Sequence, residues 1–286
     1  MRICLAFALI CIAYSATADP AKLVVSSRIS LENGLRGFGG LSGLLMQNTG
    51  QRALILNDQG QLFNLALLRS EDGKLEDFVL QSSRVLNFYG PRNRPDTEGI
   101  AEGPDGGIYV SIEDPMTVLS YLPGTYWPDS ETPLPRIRRL SRNRGLEALA
   151  IDAEGRLVTL PETVPWGRDG FPIFRFESGG WSIVTEVPNR AGFYMVGADF
   201  GPDGALYLLE RAVSLLGFRA RILRIWLDAP GRAPEILFES NVNQFDNLEG
   251  LSVWTDAQGQ LRVTVVSDDN FLRFQESEMV EFTLTE

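Results

Sequence analysis

The sequence predicts an all-β fold, a β-propeller of about five four-stranded blades. Three observations predict it. A hairpin-like segment recurs five times at the spacing of a propeller blade. Strand-like runs fill the gaps between copies, and no amphipathic helix of ordinary length interrupts them. Strands are left unassigned at both ends of the chain, where they can close a ring. Six blades is the alternative count.

Two copies of the repeat match closely. One runs from Glu98 through Pro104-Asp105-Gly106 to Glu113, and the other from Glu147 through Ala153-Glu154-Gly155 to Glu162. In both, a glutamate precedes the turn glycine by eight residues and a second follows it by seven. Three looser copies centre on Gly50, Gly204 and Gly259, so consecutive turn glycines stand 49 to 56 residues apart. Apolar runs flank turn residues in each copy, which is hairpin chemistry. Outer strands are expected at Pro172–Phe176 with Trp181–Thr185, and at Arg221–Trp226 with Glu235–Phe238, from their alternation. After the fifth hairpin only Met279–Leu284 remains, and Lys22–Ser26 is the unclaimed strand at the other end. Pairing them completes the last blade and leaves no open edge.

Residues 1–18 read as a signal peptide. Arg2 supplies the positive end, the apolar stretch from Ile3 to Tyr14 is too short to span a bilayer, and Ala16-Thr17-Ala18 fits the cleavage site. Residues 19–286 then form a single propeller domain, periplasmic or secreted, with no stable membrane insertion expected. Both cysteines, Cys4 and Cys11, lie in the signal, so no disulfide framework is expected. The chain carries a net charge of −11, which argues against a nucleic-acid partner.

Histidine is absent. That removes Ser-His-Asp and Cys-His arrangements, histidine-ligated zinc and a histidine general base. Carboxylates, hydroxyls, carbonyls and arginine remain. In each hairpin the residues flanking the turn copy lie at the end opposite the turn. If the blades share an axis, Glu98 with Glu113, Glu147 with Glu162, and Glu249 with Asp268 ring one mouth of the central channel. Asp199 with Glu210 is a weaker pair, as is Ser42 with Asn57 or Asp58. Crowded carboxylates raise each other's cost of ionisation, and a hard cation relieves it. With oxygen donors only, Ca²⁺ is the expected cofactor. The metal candidates are Glu98, Glu113, Glu147, Glu162, Asp199, Glu210, Glu249 and Asp268. The catalytic candidates are Glu98, Glu147 and Glu249, which begin inner strands. Arg94, Arg144 and Arg211 stand beside these acids and are the candidates for gripping an anionic substrate, with salt bridging to the neighbouring glutamates the equal alternative. Trp127, Trp166 and Tyr126 follow Glu113 and Glu162 in loops, where packing over a blade is the expected role and lining a substrate cleft the alternative.

These residues together resemble the phytase-like family, described as esterase-like activity of phytase. The resemblance rests on Phe38-Gly-Gly-Leu-Ser-Gly43 with Ile55-Leu-Asn-Asp58, on Asp96-Thr-Glu-Gly-Ile-Ala101 with Tyr109-Val-Ser-Ile-Glu113, on Asn143-Arg-Gly-Leu-Glu-Ala-Leu-Ala150, and on Asn247-Leu-Glu-Gly-Leu251. It implies an exported propeller that hydrolyses a small phosphorylated or ester substrate. A metal-dependent hydrolase is therefore the leading expectation. A periplasmic propeller that binds a ligand or protein without catalysis is the alternative.

Overall fold

Glycine at each of the five inner hairpin turns adopts a left-handed backbone. Gly50, Gly106, Gly155, Gly204 and Gly259 have φ between +77° and +82°. A Cβ is disfavoured at such φ, so the repeat keeps glycine there. The side chain just before it completes several turns: Asp105 Oδ1 accepts from Gly107 N, and Asp203 Oδ1 accepts from Ala205 N.

The structure is a computed structural model and describes residues 21–32, 37–89, 96–137, 145–190, 192–229, 231–272 and 274–285. The signal segment lies outside these residues. So do Arg94 and Arg144. Among the described residues no helix is long and apolar enough to cross a membrane.

Among the described residues, twenty strands form five four-stranded antiparallel sheets. The chain enters through β1 (Lys22–Ser30). Blade 1 is β2 (Leu41–Gln47), β3 (Arg52–Asn57), β4 (Gln61–Arg69) and β5 (Leu75–Val85). Blade 2 is β6 (Thr97–Glu102), β7 (Ile108–Ile112), β8 (Thr117–Tyr121) and β9 (Ser130–Pro133). Blade 3 is β10 (Ala148–Ile151), β11 (Leu157–Leu160), β12 (Gly170–Glu177) and β13 (Gly180–Pro188). Blade 4 is β14 (Tyr194–Phe200), β15 (Leu206–Ser214), β16 (Gly217–Ile225) and β17 (Glu235–Glu239). Blade 5 takes β18 (Asn247–Thr255), β19 (Leu261–Asp268) and β20 (Glu278–Thr285), with β1 as its outermost strand. The count is five, and the expected outer strands of blades 3 and 4 are β12–β13 and β16–β17.

Closure follows the expected route. Lys22 pairs with Thr285 and Ser30 with Glu278, so the two ends of the chain share one ladder. Side chains reinforce the seam. Arg69 of blade 1 forks onto Glu281 of blade 5 at 2.5 and 2.8 Å, and its guanidinium lies over Trp254 at 5.1 Å.

Each blade-to-blade interface has its own apolar cluster. Blades 1 and 2 share Leu54, Leu56, Ile100, Val110 and Tyr121. Blades 2 and 3 share Val118, Leu149 and Phe174, and blades 3 and 4 share Phe171, Ile173, Leu206 and Leu223. Blades 4 and 5 share Tyr207, Ile222, Val265 and Phe282. Blades 5 and 1 share Trp254, Met279, Ile55 and Phe63. Burying each such side chain contributes roughly 1.5–3 kcal/mol. The ring is thus held by repeated sheet-to-sheet packing.

The inner strands crowd at the axis. A Cβ on Gly99 would meet Glu147 O at 2.7 Å, and one on Gly197 would meet Glu249 O at 2.7 Å. Blade 3 tolerates Ala148 at this level. Close approach therefore explains why a small residue follows the channel-facing one in Ser42-Gly43, Glu98-Gly99, Glu147-Ala148, Val196-Gly197 and Glu249-Gly250.

Candidate functional site

A bulge in the inner strand aims side chains at the channel. The ladder shifts register between Leu41 and Gly43, Thr97 and Ile100, Met195 and Gly197, and Leu248 and Gly250. Bulges re-aim the extra residue, and here those residues are Ser42, Glu98, Val196 and Glu249. Glu147 precedes the first residue of β10 and takes the same level in blade 3. Ser42, Glu147, Val196 and Glu249 all line the channel.

A second tier lies at the start of the returning connection. Backbone bonds fix it: Asp58 N to Gly40 O, Glu113 N to Asp96 O, and Glu162 N to Gly145 O. In blades 4 and 5 the matching pairs are Tyr194 with Arg211 and Asn247 with Asp268. The second tier is therefore Asp58, Glu113, Glu162, Arg211 and Asp268.

The structure thus gathers Glu98, Glu113, Glu147, Glu162, Glu249 and Asp268 at one mouth. It places Asp199 and Glu210 elsewhere, which corrects two expected metal ligands. Asp199 lies three residues beyond Val196, toward the turn. It accepts hydrogen bonds from Val253 N at 2.7 Å and Ser252 Oγ at 3.3 Å, joining blades 4 and 5. Glu210 is fully buried and paired with Arg221, whose Nη2 lies 2.5 Å away. Alternation along β15 turns Glu210 away from the channel and Arg211 into it. Arg211 donates to Asn247 Oδ1 at 2.7 Å and to Glu249, and stands 3.6 Å from Glu162. It is the counter-ion of the acidic mouth. Of the two expected roles, gripping substrate and bridging to neighbouring glutamates, Arg211 takes the second, its fork being committed to protein oxygens.

Two ligand-type residues were not foreseen. Asp96, Glu98 and Glu113 have carboxylate oxygens all within 4.8 Å of one another. Asp96 stands two residues before Glu98 and has no counterpart acid in the other blades. Asp269 accepts from Gly40 N at 3.0 Å and faces Asp58 and Asp268. Of the loop aromatics, Tyr126 takes the alternative role and lines a cleft on the turn face, while Trp127 and Trp166 are exposed.

Crowding dominates the electrostatics. Burial, then the charges of Asp96, Glu249 and Glu113, pushes Glu98 up to about 9. Burial and a hydrogen bond with Asp96 raise Glu113 to about 7. Burial, then Glu249, Asp269 and Asp58, raises Asp268 to about 8. Asp58 rises to about 6 through burial and the charges of Asp96 and Glu249. Glu147 is held well above its ordinary range by burial and by Glu98, Glu162 and Glu249, against the opposing pull of Arg211. A site that takes up protons at neutral pH has unspent affinity for positive charge.

This sets the pH dependence of the metal-free protein. Carboxylates with folded pKa values above their unfolded ones bind extra protons in the folded state between those values. Stability therefore falls as pH rises through that window, from about 5 to about 9. Thermal melts in chelator should show the melting temperature dropping steadily across it. A flat or rising profile would contradict the electrostatics described.

No curated protein matches the chain. Among solved structures it is similar to a calcium-binding protein, regucalcin, from Agrobacterium tumefaciens, at 10% identity over 85% of this chain and 90% of that one, TM-score 0.47. It is also similar to virginiamycin B lyase from Staphylococcus aureus, at 12% identity over 93% of this chain and 100% of that one, TM-score 0.44. A third is a luciferin-regenerating enzyme, at 12% identity over 86% of this chain and 92% of that one, TM-score 0.46. The phytase-like family model, described as esterase-like activity of phytase, matches residues 36–271. With that match reaching into every blade and covering the acidic mouth between them, the chain belongs to the phytase-like family.

Proposed function

We propose that the chain is an exported, calcium-dependent hydrolase of ester or phosphoester bonds that works at the acidic mouth of the channel. The observation that carries this reading is the trio Asp96, Glu98 and Glu113, with oxygens within 4.8 Å of one another. Export rests on the signal-like residues 1–18.

The donor set fits a hard cation. It is made of carboxylate oxygens, and Asp58 Oδ1 nearby is buried with no hydrogen-bond partner. Asp96, Glu98 and Glu113 would hold calcium, which when bound offsets their repulsion and polarises an ester or phosphate oxygen and a water. Glu249 is committed to Arg211 and Asn247, so it is a poor candidate for moving a proton. Glu147 lines the channel outside the trio, and we assign it to accept a proton from water once a cation on the trio offsets the neighbouring charge of Glu98 that helps keep it protonated. Arg211 positions Glu249 and Glu162 and keeps the mouth from being wholly anionic. Without a cation, the mouth repels a phosphate or carboxylate substrate, so the reaction should depend strictly on calcium.

The mature protein should hydrolyse one or more of an aryl phosphate, an aryl ester, a lactone or phytate in millimolar calcium, and lose that turnover in chelator. No metal-dependent turnover on any of them would sink the hydrolase. Tight ligand capture without chemistry would then favour the binding propeller.

A further inference from the structure

A second site lies away from the mouth, in the seam between blades 1 and 2. A cleft of about 270 Å³ opens there on the turn face. It exceeds the ~150 Å³ that holds a benzene in a protein core and approaches the ~300–1,000 Å³ of small-molecule sites. One wall is a face of blade 1. Register puts Leu54, Asn64 and Ser82 in one cross-strand row, and Leu62 beside Arg84 in the next. Arg52 stands two residues before Leu54 and so shares that face. The other wall comes from blade 2, at Ile108 and the loop after β8.

The lining has a definite chemical character. Leu54 and Leu62 supply a buried apolar floor, and the exposed Leu122 and Tyr126 stand at the rim. Asn87 fixes that rim by donating its backbone N and Nδ2 to Tyr126 O at 2.8 and 2.9 Å. Two guanidiniums face the same space. Arg52 gives its Nε to Asn64 Oδ1 at 2.7 Å, which orients it, and Arg84 makes one long bond of 3.4 Å to Ser83 O. Among the described residues, neither has an ion-pair partner. Elsewhere arginines are matched to acids, as Arg156 is to Asp152, Arg221 to Glu210 and Arg262 to Asp256. Glu102, the acid of this cleft, is engaged by Gln47 Nε2 at 2.8 Å.

We propose that this cleft binds a small organic anion, with a carboxylate, sulfonate or phosphate head on Arg52 and Arg84 and an apolar body over Leu54 and Leu62. The head matches the guanidinium fork, and the body matches the floor and Tyr126. The site is independent of the calcium mouth, since its residues belong to the opposite end of the blades.

The probe is 8-anilinonaphthalene-1-sulfonate, titrated by fluorescence into the mature protein in chelator. It should bind with saturable enhancement, and 1-naphthoate should displace it while inorganic phosphate, lacking a body, should not. Arg52→Gln with Arg84→Gln should weaken it tenfold or more. Glu102→Gln should tighten it severalfold, and Glu98→Gln with Glu113→Gln should leave it unchanged. Arg84 is exposed on an edge strand, so Arg84→Gln alone will fold and should give a smaller loss in the same direction. Equal affinity in the parent and the arginine variants, or loss confined to the mouth variant, would overturn the proposal.

Discussion

Replacing Glu98 and Glu113 together by glutamine should abolish calcium's stabilisation of the protein and its calcium-dependent turnover, while making the metal-free protein melt higher than the parent. Glutamine keeps the shape of each side chain and removes two charges from a group whose oxygens lie within 4.8 Å. A hard cation bound through carboxylates loses orders of magnitude in affinity when two of them become neutral. At calcium a thousandfold above Kd, binding stabilises the parent by about 4 kcal/mol. At roughly 2–4 °C per kcal/mol for a chain of this size, the parent should gain about 10 °C. The variant should gain almost none. The rise in the metal-free melt follows from repulsion: Glu98 and Glu113 are pushed up to about 9 and 7, so their ionised forms work against folding near neutral pH. Paired thermal melts with calcium and with chelator decide the matter. Equal calcium shifts in parent and variant would remove the metal from these residues.

The repeat was legible because a blade is a local unit, with its turn glycine, flanking apolar runs and inter-strand spacing all written within about fifty residues. Closure was legible because an unclaimed strand at each end has one economical partner. In blade 4 the site residues were legible only through strict spacing. Counting eight residues back from Gly204 lands on Val196, and seven forward lands on Arg211. The nearest acids, Asp199 and Glu210, are turned elsewhere by the strand pleat. An arginine in a slot held by acids in the other blades is the better reading of that blade. Blade 5 has its copy two residues longer on each arm, yet Glu249 and Asp268 still reach the mouth because the extra residues lengthen the hairpin symmetrically. Asp96, visible as the first residue of a family motif, carried no sign of a ligand role because it belongs to the loop before β6 and has no counterpart acid in the other blades. The bulges themselves carry a signal only in retrospect, in the small residue that follows each channel-facing side chain. The cleft between blades 1 and 2 had one signal, the loop aromatic Tyr126, while Arg52 and Arg84 carried none because they come from strands distant from that loop in sequence.

Arg211→Met should destabilise the metal-free protein by about 3–5 kcal/mol, the usual cost of leaving buried charges without their partner. Arg211 is largely buried and bonds Asn247 and Glu249 while standing 3.6 Å from Glu162. Its charge also opposes the upward shift of Glu147. Methionine fills similar space and leaves Glu147, Glu162 and Glu249 facing one another. At roughly 2–4 °C per kcal/mol the melting temperature should fall by about 10 °C near pH 8. The deficit should shrink as pH falls, because burial and the neighbouring charges hold Glu147 well above the ordinary carboxylate range and its proton removes one of the facing charges, and it should shrink again in calcium if a cation reaches the vacated charge. Arg211→Lys should recover only part of the loss, because a single ammonium does not span three acceptors as a guanidinium does. Arg221→Met is the control. It strips Glu210 of its partner at a site away from the channel, so its deficit should be insensitive to calcium. A deficit in Arg211→Met that ignores both pH and calcium would mean that Arg211 is packing, not the counter-ion of the mouth.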